Sequence, residues 1–256
     1  MVRLKNERDF EFLRVSGKIL GDVLNELIKT ADIGVKLSAL DKLARSLIEK
    51  TEAKPAFLDY KSESAQKPYP AVICTSVNDQ VVHGLPNNYL LKFGDILKID
   101  LGINYKGYFT DAAVTVGIGK ITIEAGKLIR ATHEALTNGI FASKSGGCLG
   151  DIGWIIEKTA EKYGLSVIDG LTGHGTGFEL HEDPIVYNYG QKNEGMKLVP
   201  GLVLAIEPMF SVDGGKTEQQ SDGTFVTSDG SLSAHFEQTI LITQKEPEIL
   251  TPLTDF

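Results

Sequence analysis

FGDILKIDLGINYKGYFTDAAVTVG, residues Phe93–Gly117, decides the fold. Two runs rich in β-branched and aromatic residues flank Asn104-Tyr105-Lys106-Gly107, which predicts a β-hairpin with a four-residue loop. With that loop Ile103 pairs with Tyr108. Counting outward then puts Asp100 directly opposite Asp111 on one face, Cβ atoms about 5 Å apart. The other face carries Leu97, Ile99 and Leu101 against Ala112, Val114 and Val116, an apolar layer suited to a core.

Two carboxylates so placed repel, at a cost on the order of 3 kcal/mol for an effective dielectric near 20. A shared proton, a nearby Lys or Arg, or a metal ion would neutralise them. Solvated strand acids are the plainer reading, and one bulge would send the pair to opposite faces.

The chain has 256 residues, 42% hydrophobic and 23% charged, ordinary values for a globular protein with one large domain or two small ones. A net charge of −8 argues against nucleic acid or an acidic membrane surface as the main partner. Cys74 and Cys148 are the only cysteines and lie far apart, so neither a disulfide framework nor a zinc-ribbon spacing is present. The start, MVRLKNERDF, has no apolar run, and no stretch approaches the roughly 18 apolar residues of a membrane span. A cytoplasmic location is the expectation.

Along the chain, Asn6 with Asp9 opens a helix on which Phe10, Leu13, Gly17, Leu20, Leu24 and Leu27 fall at helical spacing. Ser38 with Asp41 resembles a capping box for a second helix striped by Leu40, Leu43, Leu47 and Ile48. Lys61 to Lys67 is polar and reads as an exposed loop. Strand pieces follow at Pro70 to Thr75 and Gln80 to Val82, then the hairpin. After Gly119 the order starts again. Thr122 caps one helix, and a second carries Ile152, Ile155, Ile156 and Ala160 and ends at Gly164. Strand-like runs come next at Ser166 to Ile168, Leu202 to Ile206, Phe225 to Thr227 and His235 to Thr243. Two helices then strands, twice over, predict a single domain over 1–256 with two halves, about 1–119 and 120–256.

Further residues carry chemistry. His174 lies in Thr172-Gly173-His174-Gly175-Thr176-Gly177, where flanking glycines permit a sharp turn and leave an imidazole open to a cleft. His181 follows within the same glycine-rich stretch. Glu207 ends an apolar strand that Pro208 stops, and Glu237 sits inside a strand-like run. Each also has a plain structural reading: a hydrogen-bonded histidine, a surface turn acid, an edge-strand glutamate. Together with Asp100 and Asp111 they make four carboxylates and one imidazole. Two divalent cations would balance that charge, and a mostly oxygen donor set suits Mn, Co or Fe, with Zn possible.

The chain resembles the dinuclear pita-bread metallopeptidases, and within them the type I methionine aminopeptidases. The stretches that carry this are ICTSVNDQVVHGLP (Ile73 to Pro86), DILKIDLG with YFTDAAV, GHGTGFELHEDP (Gly173 to Pro184), LVLAIEP and SLSAHFEQT, spread along most of the chain. The resemblance implies an α/β, pseudo-symmetric fold with a central antiparallel sheet backed by two pairs of helices. It implies two metal ions, with Asp111 and Glu237 bridging both, Asp100 holding one, and His174 with Glu207 holding the other. A metal-bridged hydroxide would attack the peptide carbonyl, Glu207 assisting proton transfer. His181 would stabilise the tetrahedral intermediate, and His83 would hold the substrate backbone and assist proton transfer. Phe57, Tyr69 and Cys74 match positions lining the methionine pocket, and Asn78 with Ser233 match a monovalent-cation site. The implied substrate is the N-terminal methionine of nascent chains, met near the ribosome by a monomer.

Departures from the family pattern concern specificity. Between Tyr60 and Tyr69 this chain has several extra residues. A tryptophan common before the last strand is replaced near Gly223 and Thr224, with Phe225 the nearest aromatic. His235 stands where Gln is common. Two alternatives share the fold: an Xaa-Pro aminopeptidase or prolidase, and a non-catalytic peptide- or RNA-binding module, whose members typically lose ligands.

Overall fold

The computed structural model describes residues 2–61 and 67–253, so most of the Lys61–Lys67 loop lies outside the described residues. The first part of the chain forms α1 (Glu7–Thr30), α2 (Leu37–Ile48), β1 (Lys54–Pro55), β2 (Cys74–Val77), β3 (Gln80–Val82), β4 (Ile96–Tyr105) and β5 (Tyr108–Gly117). There follow α3 (Ile123–Ala142), α4 (Leu149–Tyr163), β6 (Ser166–Val167), β7 (Gly173–Gly175), β8 (Glu182–Val186) and β9 (Val203–Ile206). The last are β10 (Met209–Ser211), β11 (Thr217–Gln219), β12 (Phe225–Thr227), β13 (Ser233–His235), β14 (Glu237–Leu241) and β15 (Glu248–Ile249).

Helix ends follow local side chains. Asn6 Oδ1 accepts from Arg8 N and Asp9 N while Asn6 N donates to Asp9 Oδ2, the expected capping box, a feature of about 1 kcal/mol. Thr122 Oγ1 accepts from Ala125 N to start α3, and Gly164, at φ 60°, ends α4. The capping box expected at α2 is absent. Lys36 precedes that helix without a side-chain cap, and Asp41 Oδ1 accepts instead from Val72 N (2.7 Å) and Ile73 N (3.2 Å). A tertiary demand, fixing the segment that leads into β2, takes the carboxylate away from its own helix.

The main sheet runs β1-β4-β5-β14-β9-β7-β8, with β2 also on β4 and β15 also on β14, all antiparallel. The hairpin register differs from the expectation. Tyr105 pairs with Tyr108, the loop is Lys106-Gly107 alone, and Asp100 stands opposite Ala113 while Asp111 stands opposite Gly102. Both loop residues have positive φ, 53° and 91°, the two-residue turn whose twist matches the strands better than a wider loop. The slip is two residues, so Asp100 and Asp111 remain on one face as diagonal neighbours.

Leu97, Ile99, Leu101, Ala112 and Val114 are fully buried on the opposite face, in one cluster with Leu20 and Leu24 of α1, Leu128 and Leu136 of α3 and Ile156 of α4. Burying each large aliphatic side chain contributes roughly 1.5–3 kcal/mol, so the helices are held to that face. The strand expected from Pro70 begins only at Cys74. The run expected from His235 to Thr243 is broken at Phe236, where the chain leaves the small sheet β13-β10-β6 and enters the large one. Among the described residues no helix is long and apolar enough to cross a membrane.

Candidate active site

Register alone collects the acidic residues. Ala113 of β5 is opposed by Asp100 on β4 and by Glu237 on β14. Asp111, two positions from Ala113, therefore shares their face. On the far side of β14, Thr239 opposes Ala205 of β9, and Ala205 also opposes His174 of β7. Glu207 is two positions past Ala205, so the same parity carries Glu207 and His174 to this face. Thr239 Oγ1 locks the alignment, accepting from Asp111 N (2.9 Å) and donating to Asp111 O (2.8 Å). The intervening positions Gly102, Ala113 and Ala205 are small, and the Phe57 ring packs into the space above Gly102.

His174 Nε2 lies 3.5 Å from Glu207 Oε1 and 4.0 Å from Glu237 Oε1. Its Nδ1 faces its neighbour's carbonyl, Gly175 O, at 2.9 Å, which leaves Nε2 pointing at the carboxylates. The glycines beside it are not turn residues as expected. Gly173–Gly175 is a strand, and a Cβ at either glycine would overlap a backbone carbonyl, Ala205 O or Asp183 O. The register of β7 on β8 shifts between His174 and Gly175, a bulge of the kind that re-aims a side chain. Glu207 is held by its backbone, where Asn188 Nδ2 donates to Glu207 O (2.9 Å). Pro208 ends β9, yet the chain continues as β10 in the second sheet.

Burial pushes every carboxyl here upward. Asp100 and Glu207 rise to about 7, desolvation leading and His235 and His174 respectively opposing it, and Asp111 and Glu237 go well above the carboxylate range, desolvation leading and neighbouring carboxylates adding. Asp100 Oδ1, Asp111 Oδ1 and Glu237 Oε1 have no hydrogen-bond partner among the described residues. Two sets of donors, Asp111–His174–Glu237 and Glu207–His235–Glu237, each lie within 4.8 Å of one another. Two donors on one ion, each about 2.1 Å from it, stand roughly 3.0–3.5 Å apart at octahedral to tetrahedral angles. The 3.5 Å spacings fit that rule and are too long for hydrogen bonds of ordinary strength. The residues present fit divalent cations.

Around this face Phe57, Cys74, Ala56 and Leu180 form a small buried cluster with Tyr60, Tyr69 and Phe109 at its edge. Cys74 opposes Asp100 in the β2–β4 register, so the expected pocket residues adjoin the acidic face. Tyr69 Oη donates to Ile73 O (3.1 Å) and Gly84 O (3.0 Å), and its ring meets Phe57 edge-on. His181 stands 4.4 Å from His174, ring centre to ring centre, and His83 packs edge-on against Phe225, the aromatic nearest the missing tryptophan. Desolvation, with neighbouring imidazoles adding, holds both histidines below the usual histidine range.

The model of metallopeptidase family M24 matches residues 11–244. The chain belongs to this family. M24 membership brings divalent metal binding and peptidase chemistry. Among relatives, a protein named methionine aminopeptidase from Clostridium acetobutylicum is 45% identical over 98% of this chain and 99% of its own length. One from Bacillus subtilis, methionine aminopeptidase 1, is 38% identical over 98% and 99%. The solved methionine aminopeptidase of Thermotoga maritima superposes with a TM-score of 0.94, 41% identical, covering 98% of this chain and 99% of that one. A prolidase of Pyrococcus horikoshii shares the fold at a TM-score of 0.78 and 21% identity, covering 98% of this chain and 63% of that one. The architecture is the expected pita-bread fold.

Three residues at or beside this face carry no role in the sequence reading. Tyr60 Oη lies 2.6 Å from His181 Nδ1. His235, 1% exposed, places Nε2 3.5 Å from Glu207 Oε2. Lys98, equally buried, donates from Nζ to Asn78 O (2.7 Å) and Ser233 O (2.9 Å), bringing an ammonium to the position assigned by resemblance to a monovalent cation. The alternation that puts Lys98 on the face of Asp100 was the available signal.

Proposed function

We propose that this chain is a methionine aminopeptidase that removes the initiator methionine from nascent proteins whose second residue is small. The observation that carries it is the single-face array of Asp100, Asp111, His174, Glu207 and Glu237 beside the Phe57–Tyr69–Cys74 cluster. In this reading those five residues hold two divalent ions (Co, Mn, Fe or Zn), which when bound supply Lewis acidity and lower the pKa of water. The apolar cluster with its thiol takes the unbranched thioether side chain. Glu207 accepts a proton from the attacking water and returns it to the leaving amine. His181 donates to the oxygen that gains charge in the transition state, and His83 holds the substrate backbone. The chain works as a cytoplasmic monomer close to the ribosome, as one domain with two similar halves.

Metal-stripped protein is incubated with a Met-Ala-Ser peptide and an Ala-Pro-Ala peptide, with and without Mn²⁺ or Co²⁺. Metal-dependent release of methionine alone is the expected result, and Asp111→Asn should abolish it. Cleavage of the Ala-Pro peptide instead would move the chain to the proline-specific branch, and turnover of neither would reject the enzyme reading.

A further inference from the structure

His235 is the one imidazole near the acidic face to which no role has yet been given. It is 1% exposed, and neither ring nitrogen has a hydrogen-bond partner among the described residues. A buried polar atom left so costs about 1–3 kcal/mol. Its backbone is fixed before any ligand arrives. His235 N donates to Thr115 Oγ1 (2.9 Å), Thr115 Oγ1 donates to His235 O (2.7 Å), and the residue pairs with Met209. The side chain is therefore aimed by the fold.

The aim mirrors that of His174. Each oxygen of the Glu207 carboxylate faces one imidazole, Oε1 facing His174 Nε2 and Oε2 facing His235 Nε2, both at 3.5 Å. Glu237 is common to both donor sets, Asp111–His174–Glu237 and Glu207–His235–Glu237. A hydrogen bond from His235 to Glu207 would need a shorter approach. The spacing is that of two donors sharing one ion. From this geometry we infer that His235 is itself a metal ligand, completing with Glu207 and Glu237 a second donor set, so that the centre receives two imidazoles. The inference rests on the reading of this face as a two-ion centre. A glutamine at this position would offer only a weak amide oxygen. A second imidazole makes the site softer and favours Co, Ni or Zn over Mn or Mg.

The test is X-ray absorption on protein loaded with two equivalents of Zn²⁺, which counts imidazoles by their outer-shell scattering. The expected count is an average of one imidazole per zinc in the unmodified protein, halved in His235→Gln and equally halved in His174→Gln. Zn²⁺ titration calorimetry should show one of the two sites of His235→Gln weakened tenfold or more. An average of one half imidazole per zinc in the unmodified protein would overturn the inference without any variant, while leaving the two-ion reading intact. An unchanged count in His235→Gln would overturn it as well. Failure of the unmodified protein to bind Zn²⁺ at all would remove the two-ion reading, and the inference with it.

Discussion

Tyr60→Phe isolates one hydrogen bond beside the candidate catalytic histidine. Tyr60 Oη and His181 Nδ1 are 2.6 Å apart, a length that suits an O–H donor better than an N–H donor. Burial raises the Tyr60 pKa, so the hydroxyl keeps its proton, and His181 is held neutral by desolvation and by His174 and His83. A neutral imidazole that accepts at Nδ1 must carry its proton on Nε2. Tyr60 thereby selects the tautomer able to donate to a developing oxyanion. The net value of such a bond is about 1 kcal/mol, range roughly 0.5–1.5. Removing it frees His181 to populate the wrong tautomer and a wider range of ring angles, so kcat on Met-Ala-Ser should fall roughly 3- to 10-fold. KM should hold within about twofold, since the ring that edges the pocket is retained. In a His181→Ala background the Tyr60→Phe effect should vanish, because the residues act as a unit. ¹⁵N chemical shifts of His181 should move from the Nε2–H pattern toward a mixture, which a packing role would not produce. An undiminished kcat, or an equal loss with and without His181, would refute the reasoning.

Other perturbations follow from the same geometry. Without metal, the buried carboxyls hold protons in the folded state (Asp100 and Glu207 up to about 7) that the unfolded chain releases at its ordinary values near 4. Between those limits the folded state binds more protons, so stability present at low pH is lost as pH rises through about 7, by on the order of a few kcal/mol. Thermal melts of metal-stripped protein should show Tm falling from pH 5 to pH 8, and a rise would contradict the raised values. For Lys98, exchanging Na⁺ for K⁺ or tetramethylammonium at constant ionic strength should leave the native Tm unchanged. Lys98→Ala should become cation-dependent and lose roughly 1–3 kcal/mol for each carbonyl left unpaired. A native Tm that climbs specifically with K⁺ would show that the ammonium does not stand in for an ion. Gly17→Ala should destabilise the protein by about 1–3 kcal/mol or more, because a Cβ there would overlap the Leu250 carbonyl against which α1 packs. Calorimetry showing no loss would mean that α1 can shift away from that segment.

Period-two alternation is written into each strand by covalent geometry, and that is why the shared face of the candidate site was legible. It put Asp100 and Asp111 on one face even though the hairpin loop was read two residues too long; a slip of one residue would have separated them. The caps at Asn6, Thr122 and Gly164 were equally readable, because a capping residue answers to backbone groups within a few positions. Asp41 misled, since its local pattern matches a cap while its partners, Val72 and Ile73, arrive from far along the chain. The same distance in sequence hid the remaining contacts. Nothing near Tyr60 announces His181, nothing near Lys98 announces Ser233, and His235 lies two residues before Glu237 yet on a different sheet. Sequence by itself determined which residues within a strand or hairpin share a face. Tertiary structure decided which strands lie side by side, hence which carboxylate oxygen meets which imidazole, because strand order and register are settled by packing across the whole sheet and not by any one segment.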